Sequence, residues 1–455
     1  MPAKVILTIT QGNLKGQKFV FEERATCIIG RAKDCNPQLP NDTAHRTISR
    51  YHCLLDINPP DIRVRDFGSR NGTYVNGKII GKRSSNQTRT EGARRIFPEY
   101  DLQGGDTIKL GNTVFLVNIE VDNQILETLH PVNAQACTTQ IVSEPPKFSE
   151  IIKGLLQKAD TGESQLVAIR GYTILRGLGQ GGCGAVYLAR HEPTGELVAL
   201  KVMLPKVAAK PWALDMFLRE VENTKALKHP NVVQLRDYGY DNGTFFFTLD
   251  YCNGGSVADL MRQRGGKLSI DEAVPIILQT LDGLNYAHNA KIPCVKRADG
   301  MIAKGQGLVH RDLKPHNILL ANVNGSYIAK IADYGLAKAF DLAGLSGQTM
   351  TGHAAGTPRF MPRQQVINFK HAKPEVDVWA VAASLYNMLT GAYPRDFGNQ
   401  DPFLTVLQTN PVPIRQRDSS IPKPLAELID LALVDNPEIH FKNAAAFKRA
   451  LESVV

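Results

Sequence analysis

His310-Arg311-Asp312-Leu313-Lys314-Pro315-His316-Asn317 lies in the C-terminal half of this 455-residue chain, and sixteen residues after its asparagine comes Asp333-Tyr334-Gly335. Upstream, Val198-Ala199-Leu200-Lys201 reads as a strand, and Glu220 follows the lysine by nineteen residues in Phe217-Leu218-Arg219-Glu220-Val221. Earlier still, Gly179-Gln180-Gly181-Gly182-Cys183-Gly184-Ala185-Val186 sits between two strand signals. Glycines there let a backbone approach phosphates without side-chain clash. By itself such a loop is also compatible with a plain glycine hairpin or a dinucleotide site. A dinucleotide loop must open a helix, whereas Val186–Arg190 continues as a strand. Downstream stand Gly356-Thr357-Pro358 and Asp377-Val378-Trp379.

The hydrophobic pattern around these motifs runs strands first, then helices. Residues 172–177, 186–190, 197–203, 232–238 and 245–251 read as strands, with a helix predicted over 212–227. Beyond Ser256 the apolar spacing turns helical, as over 273–288 and 376–389. The expectation is a β-rich small lobe over 169–252 and an α-rich large lobe over 253–455, with a ligand cleft between them. Residues 291–306 read as an insertion, either a surface loop or a docking surface.

These motifs in this order resemble the eukaryotic-like (Hanks-type) serine/threonine protein kinases, in a bacterial setting, from Tyr172 to the C-terminus. The resemblance implies an α+β two-lobed kinase fold and transfer of the ATP γ-phosphate to Ser or Thr of proteins. Position by position, it implies Asp312 as general base and Lys314 against the γ-phosphate. Lys201 would pair with the α/β-phosphates, oriented by Glu220, while Asn317 and Asp333 hold Mg²⁺, with Mn²⁺ as an alternative. Gly179, Gly181 and Gly184 would cover the phosphates. Val186 and Ala199 would lie above adenine and Leu319 below, with Asp250–Cys252 as the hinge. Asp-Leu-Lys-Pro is the serine/threonine form of the catalytic loop, and Thr357 would bridge Asp312 and Lys314. Candidate phosphorylation sites in the activation segment are Thr351, Thr349 and Ser346.

The departures from that pattern are specific. Tyr334 replaces a phenylalanine, an exchange expected to keep its packing, and Thr224 stands where an apolar residue is common. Ala-Pro-Glu becomes Pro362-Arg363-Gln364, and the usual arginine partner of that glutamate becomes His440. Both halves of one ion pair have changed, so a neutral Gln364–His440 contact is expected as its replacement. The rival to an active enzyme is a pseudokinase acting only by phosphopeptide binding. It would be signalled by loss of Lys201, Asp312, Asn317 or Asp333, and all four are present.

Residues 4–119 read as all-β, with short apolar stretches at 4–10, 18–21, 62–66 and 113–119 bounded by turn residues, and Asn76-Gly77 as a tight hairpin. This region, 1–120, is expected to be a β-sandwich. Gly30-Arg31, Ser49-Arg50-Tyr51-His52 and Asp66 to Gly77, including Ser69-Arg70-Asn71-Gly72-Thr73, resemble the loop motifs of forkhead-associated (FHA) domains. That resemblance implies phosphothreonine binding by Arg31, Ser49, Arg50 and Asn71, with His52 bracing the loop. Arg31 can fork onto a phosphate and Ser49 can donate to it. The arginines between Lys82 and Glu99 read as solvated surface, or as a wider platform for acidic phosphopeptides.

Residues 121–168, with Pro131, Pro145 and Pro146, read as a linker with one short helix over 149–158. Composition is globular, at 43% hydrophobic and 21% charged, with a net charge of +9 that suits acidic partners. No aromatic-basic interleaving points to nucleic acid, and no apolar run of membrane-spanning length occurs. Seven scattered cysteines without a C-x-x-C pair argue for a reducing, cytoplasmic setting rather than a disulfide or zinc scaffold. The expected partners are phosphothreonine proteins, including the chain's own phosphorylated linker or activation segment, and protein substrates.

Overall fold

The computed structural model describes residues 4–22, 25–33, 35–84, 86–87, 97–120, 169–181, 184–203, 221–241, 244–296, 302–334, 358–367, 372–398 and 401–455. The 149–158 helix, Glu220, Cys183, Ser346, Thr349, Thr351, Thr357 and much of the 82–99 stretch lie outside them.

The N-terminal domain is a two-sheet sandwich. Strands β1 (Lys4–Gln11), β2 (Lys18–Phe21), β6 (Thr73–Val75), β7 (Lys78–Gly81), β9 (Thr107–Leu110) and β10 (Thr113–Glu120) form one sheet, ordered β2-β1-β10-β9-β6-β7. Strands β3 (Ala25–Ile29), β4 (Cys53–Asn58), β5 (Asp61–Asp66) and β8 (Tyr100–Leu102) form the other. Alternate residues of β1, Val5, Leu7 and Ile9, are fully buried and meet Cys27, Leu55 and Val64 of the facing sheet. The expected Asn76-Gly77 hairpin forms, with both residues at positive φ (49° and 80°) between β6 and β7.

The small lobe is a five-stranded antiparallel sheet of β11 (Tyr172–Gly181), β12 (Gly184–His191), β13 (Glu196–Met203), β14 (Leu235–Asp241) and β15 (Thr244–Asp250), ordered β11-β12-β13-β15-β14. Strand β14 begins three residues later than its apolar run suggested. Val232 and Val233 pair instead with Ile331 of the large lobe, which diverts the start of that run.

The large lobe carries α1 (Val257–Gln263), α2 (Ile270–Asn289), β16 (Lys291–Lys296), β17 (Ile302–Gln306), β18 (Ile318–Val323), β19 (Ser326–Ile331), α3 (Arg363–Ile367), α4 (Glu375–Thr390), α5 (Pro402–Gln408), α6 (Lys423–Ala432) and α7 (Ala444–Glu452). Ser256 and Ser269 start α1 and α2 with reciprocal capping boxes to Asp259 and Glu272. Gly391, at φ 72°, ends α4 in the left-handed conformation. The core forms around α2 and α4, where Trp379 and Tyr386 are fully buried. Within the 291–306 insertion, β16 and β17 pair as an antiparallel hairpin. Ile292 buries its side chain and so ties the start of that hairpin to the lobe.

Candidate active site

The residues expected to do chemistry converge where the lobes meet. Lys201 on β13 reaches Asp333 with Nζ 2.6 Å from Oδ1. That ammonium holds the Asp333 carboxyl below the ordinary carboxylate value, against the opposing effect of burial. Asp333 itself sits at φ 55° and Arg311 at φ 64°, both in the sparsely populated left-handed region. Such backbone persists only where the surroundings impose it.

Those surroundings are visible at Arg311. Asp377, fully buried near the start of α4, accepts the backbone N–H of His310 at 2.7 Å and of Arg311 at 2.6 Å. It also accepts His288 Nε2 at 2.8 Å. Burial would push the Asp377 carboxyl up, but the hydrogen bond and charge of His288, with the His310 ring and the Arg311 N–H, hold it below its ordinary value. From the other side Gln365 of α3 donates to the Arg311 carbonyl at 2.6 Å. His310 is oriented too. Its Nδ1 accepts the Asp312 N–H at 3.2 Å, so Nε2 carries the proton and donates to the Ala332 carbonyl at 2.8 Å. The loop therefore presents Asp312 from a backbone pinned on both faces.

Around Asp312, Lys314 Nζ lies 3.0 Å from Oδ2 and Asn317 Nδ2 lies 3.1 Å from the same oxygen. Asn317 also donates to the Asp312 carbonyl at 2.8 Å, so its amide nitrogen is engaged and its amide oxygen is the group that can accept. An amide oxygen and the Asp333 carboxylate are hard oxygen donors that suit Mg²⁺. Among the described residues no cluster of three or more His, Cys, Asp or Glu gathers as a further metal site.

The residues expected around the nucleotide come from both lobes. Leu319 packs with Cys252, Val233 and Ala332 beside the hinge. Val186 pairs in register with Lys201, and Ala199 with Leu249. Gly179 faces Val186 across the β11–β12 hairpin. A Cβ on Gly184 would come 2.2 Å from the Val202 carbonyl, so glycine is required there for strand contact. The Asp250 carboxylate is occupied by Arg236 at 3.1 Å and Lys330 at 2.9 Å, so its side chain braces the hinge. Tyr334 keeps the expected packing, edge-on to His310 with centroids 4.8 Å apart. Thr224 Oγ1 donates to the Tyr334 carbonyl at 2.9 Å, a polar tie where an apolar contact is common.

The expected Gln364–His440 contact does not form. His440 is exposed and lies edge-on to Phe441, while Gln364 Nε2 donates to the Asp435 carbonyl at 2.8 Å. The support is instead a buried carboxylate: Asp435 pairs with Arg363 and with Arg395. The sequence offered Arg363 as the residue replacing proline, yet its partner is a residue with no motif of its own. Gln365, His288, Arg395 and Asp435 carried no sequence signal as site supports.

In the sandwich, Gly30, Arg31, Ser49, Arg50 and Asn71 come together at one end. A Cβ on Gly30 would sit 2.0 Å from the Arg50 carbonyl, so only glycine permits the two loops to touch. Arg31 Nε donates to the Ile48 carbonyl at 2.5 Å, and its Nη1 pairs with Asn41. Ser49 Oγ accepts the Arg70 N–H at 3.2 Å, and Asn71 Nδ2 donates to the Thr47 carbonyl at 2.6 Å. Arg50 is exposed. His52 is a brace, as expected. Its Nδ1 accepts the Ser49 N–H at 3.0 Å and its Nε2 donates to the Gly72 carbonyl at 3.1 Å. Burial lowers its pKa, with the Asp66 charge opposing, which suits this neutral tautomer. Asp66 knits the next loop, accepting from Ser69 N, Ser69 Oγ and Thr73 Oγ1 at 2.6–2.8 Å.

The protein kinase domain family matches residues 172–439 and the FHA domain family residues 27–111. The chain belongs to the protein kinase family and carries an N-terminal FHA domain. It is 34% identical over 231 residues to a probable serine/threonine-protein kinase, pknA2, of Bifidobacterium longum, covering 50% of this chain and 27% of that protein. It is 29% identical over 288 residues to the serine/threonine-protein kinase PknA of Mycobacterium tuberculosis, covering 62% and 61%. The chain thus spans less than two thirds of the length of these relatives. A solved structure of Rad53 1-466 with AMP-PNP aligns over 99% of this chain and 100% of that one, at 21% identity and a TM-score of 0.47, a loose likeness. No helix among the described residues is long and apolar enough to cross a membrane.

Proposed function

We propose that the chain is an active serine/threonine protein kinase whose FHA domain binds phosphothreonine. The observation that carries this is the Asp312 cluster: a carboxylate flanked by Lys314 and Asn317, on a loop held from both sides by Asp377 and Gln365. Asp312 takes the proton of the substrate hydroxyl as its oxygen attacks the γ-phosphorus of ATP, and the bond to the β-phosphate oxygen breaks, releasing ADP. Lys314 offsets charge on the transferring group, and Lys201 holds the α/β-phosphates with Glu220 as its orienting partner. Gly179, Gly181 and Gly184 lie over the phosphates. Val186, Ala199 and Leu319 enclose the adenine, with backbone at Asp250–Cys252 as the hinge. Asn317 and Asp333 would hold Mg²⁺, or Mn²⁺ in its place, which supplies charge neutralisation to the phosphates when bound. Ser346, Thr349 and Thr351 remain the proposed phosphorylation sites.

In the FHA domain Arg31 and Ser49 contact the phosphate, and Asn71 and Arg50 the peptide backbone and its flanks. Proteins bearing phosphothreonine are the partners, with the chain's own linker or activation segment among them. A cytoplasmic setting fits seven scattered cysteines without a C-x-x-C pair.

Two variants test the two halves separately. Asp312→Asn should abolish autophosphorylation with labelled ATP while phosphothreonine peptides still bind. Arg31→Ala should weaken such a peptide by about 1.5–3 kcal/mol, roughly ten- to hundredfold in Kd by calorimetry, while transfer to an unphosphorylated peptide continues. Near-normal transfer by Asp312→Asn would remove it as the base. Equal binding of threonine, phosphothreonine and phosphoserine peptides would remove phosphothreonine as the ligand.

A further inference from the structure

The phosphate-reading end of the sandwich is not surrounded by solvent on all sides. Ala32, next to Arg31, and Tyr51, next to Arg50, pack with Ile28 and Phe67 into one apolar cluster with the large lobe. The lobe contributes Met361 and Val366, from the segment that follows Gly356-Thr357-Pro358, and Phe403 and Leu407 of α5. Strand β3 lies against α3.

Beside this patch Arg65 of β5 reaches across to Asp401, with Nη1 2.6 Å from Oδ2. Their side chains are 6% and 3% exposed. The guanidinium also covers the Phe67 ring, 5.4 Å from its centroid. The other oxygen of Asp401 starts α5 by accepting the N–H groups of Phe403 at 2.9 Å and Leu404 at 3.3 Å. Arginine and aspartate are almost never so deeply buried unless paired. Glu99 of its own domain lies 4.0 Å from Arg65 Nε, but the near counter-ion of Arg65 is Asp401 of the other domain, inside a cluster that both domains build. A surface designed only for solvent would leave Arg65 exposed and the apolar residues of α5 uncovered.

We infer that the FHA domain docks on the large lobe through this apolar patch and the Arg65–Asp401 pair. Docking holds the phosphothreonine pocket beside the substrate-side segment 358–367, so the preferred protein substrates already carry a phosphothreonine. The pocket grips the phosphate while a nearby Ser or Thr of the same substrate enters the cleft. Consecutive Cα atoms are about 3.8 Å apart, so Arg31 and Arg50 stand one residue from the interface. A fixed dock makes entry of the second site intramolecular and raises its effective concentration to the order of millimolar for a short span. This rests on the kinase and phosphothreonine readings above.

The test uses the full chain as wild type, Arg65→Glu and Asp401→Asn. Arg65→Glu sets a carboxylate against those of Asp401 and Glu99, and Asp401→Asn removes the charge but keeps an oxygen to cap α5. Substrates are peptides carrying an acceptor serine, with phosphothreonine or threonine placed at a series of spacings from it. Wild type should favour the phosphorylated peptides tenfold or more in kcat/KM at some spacing, through KM. Arg65→Glu should lose that preference and show a larger radius of gyration by X-ray scattering. It should keep wild-type kcat/KM on unphosphorylated peptides and wild-type Kd for phosphothreonine alone. Asp401→Asn should lie between the two. An unchanged radius of gyration in both variants overturns the dock. A preserved preference in an opened variant, or no preference in a wild type that binds phosphothreonine, overturns the substrate class. A wild type that neither transfers phosphate nor binds phosphothreonine overturns the parent reading instead, and this inference with it.

Discussion

Replacing Asp435 by asparagine should be among the most destabilising single changes in the large lobe. The residue is 2% exposed, and so is Arg395, while Arg363 is 7% exposed. Its carboxylate pairs with both guanidiniums and accepts the Arg363 N–H at 2.9 Å. Other polar groups share the guanidiniums. Arg395 donates to the Thr409 carbonyl at 3.0 Å and the Met361 carbonyl at 3.2 Å, and Arg363 donates to Asn410 at 2.9 Å. Arg395 also lies over Trp379, 4.9 Å from its ring centroid. These contacts are neutral, so none replaces the lost charge. Burial, together with the Arg363 charge, lowers the Arg395 pKa despite Asp435, so the site disfavours a lone cation. Breaking a buried ion pair by removing one partner costs about 3–5 kcal/mol, a large share of the roughly 5–15 kcal/mol that holds a domain folded. At about 2–4 °C per kcal/mol for a lobe of this size, the midpoint should fall by roughly 6–20 °C. Thermal and urea unfolding of the full chain, followed by tryptophan fluorescence, reads this out, because Trp379 stacks on Arg395. His440→Ala is the control: the side chain is exposed and should change stability by less than about 0.5 kcal/mol. A loss under about 1 kcal/mol for Asp435→Asn, or a larger loss for His440→Ala, would refute the charge-based support.

Three further outcomes follow from particular side chains. The buried Tyr334 hydroxyl finds no partner among the described residues, so Tyr334→Phe should be neutral or stabilise by up to about 1 kcal/mol in urea unfolding; a loss of that size would mean the hydroxyl is bonded. Burial pushes the Cys252 thiol up to about 11, with Asp250 adding to the shift and Lys330 opposing it. Native Cys252 should therefore resist iodoacetamide at pH 7.5 for hours by mass spectrometry, and rapid labelling would contradict its burial at the hinge. Asp377 has a folded pKa below its unfolded value, so the stability it contributes is present above about pH 4 and is lost as pH falls through the folded pKa. The stability gap between wild type and Asp377→Asn should accordingly shrink as the pH drops below about 4, and a gap that widens there would reverse the assignment.

Much of this protein was legible because its chemistry is local in sequence. His310 to Asn317 places the proposed base, lysine and asparagine within one short turn, and the backbone alone brings Lys314 and Asn317 to Asp312. The 3.6 period showed α2 and α4, a short apolar stretch bounded by turn residues showed β1, and Asn76-Gly77 marked its hairpin because only residues tolerating positive φ make that turn. The loop glycines and His52 were readable for the same reason. Harder to see was anything whose partner is distant. The hairpin over 291–306 has little alternation, and the start of β14 was diverted by pairing with Ile331. Gln365 grips the catalytic loop from 54 positions away, and Asp435 balances Arg363 from 72. Arg65 and Asp401 belong to different domains. Each of these looks in sequence like an ordinary surface residue. Burial decided otherwise, since a polar group removed from water must find its complement wherever the folded chain happens to bring one.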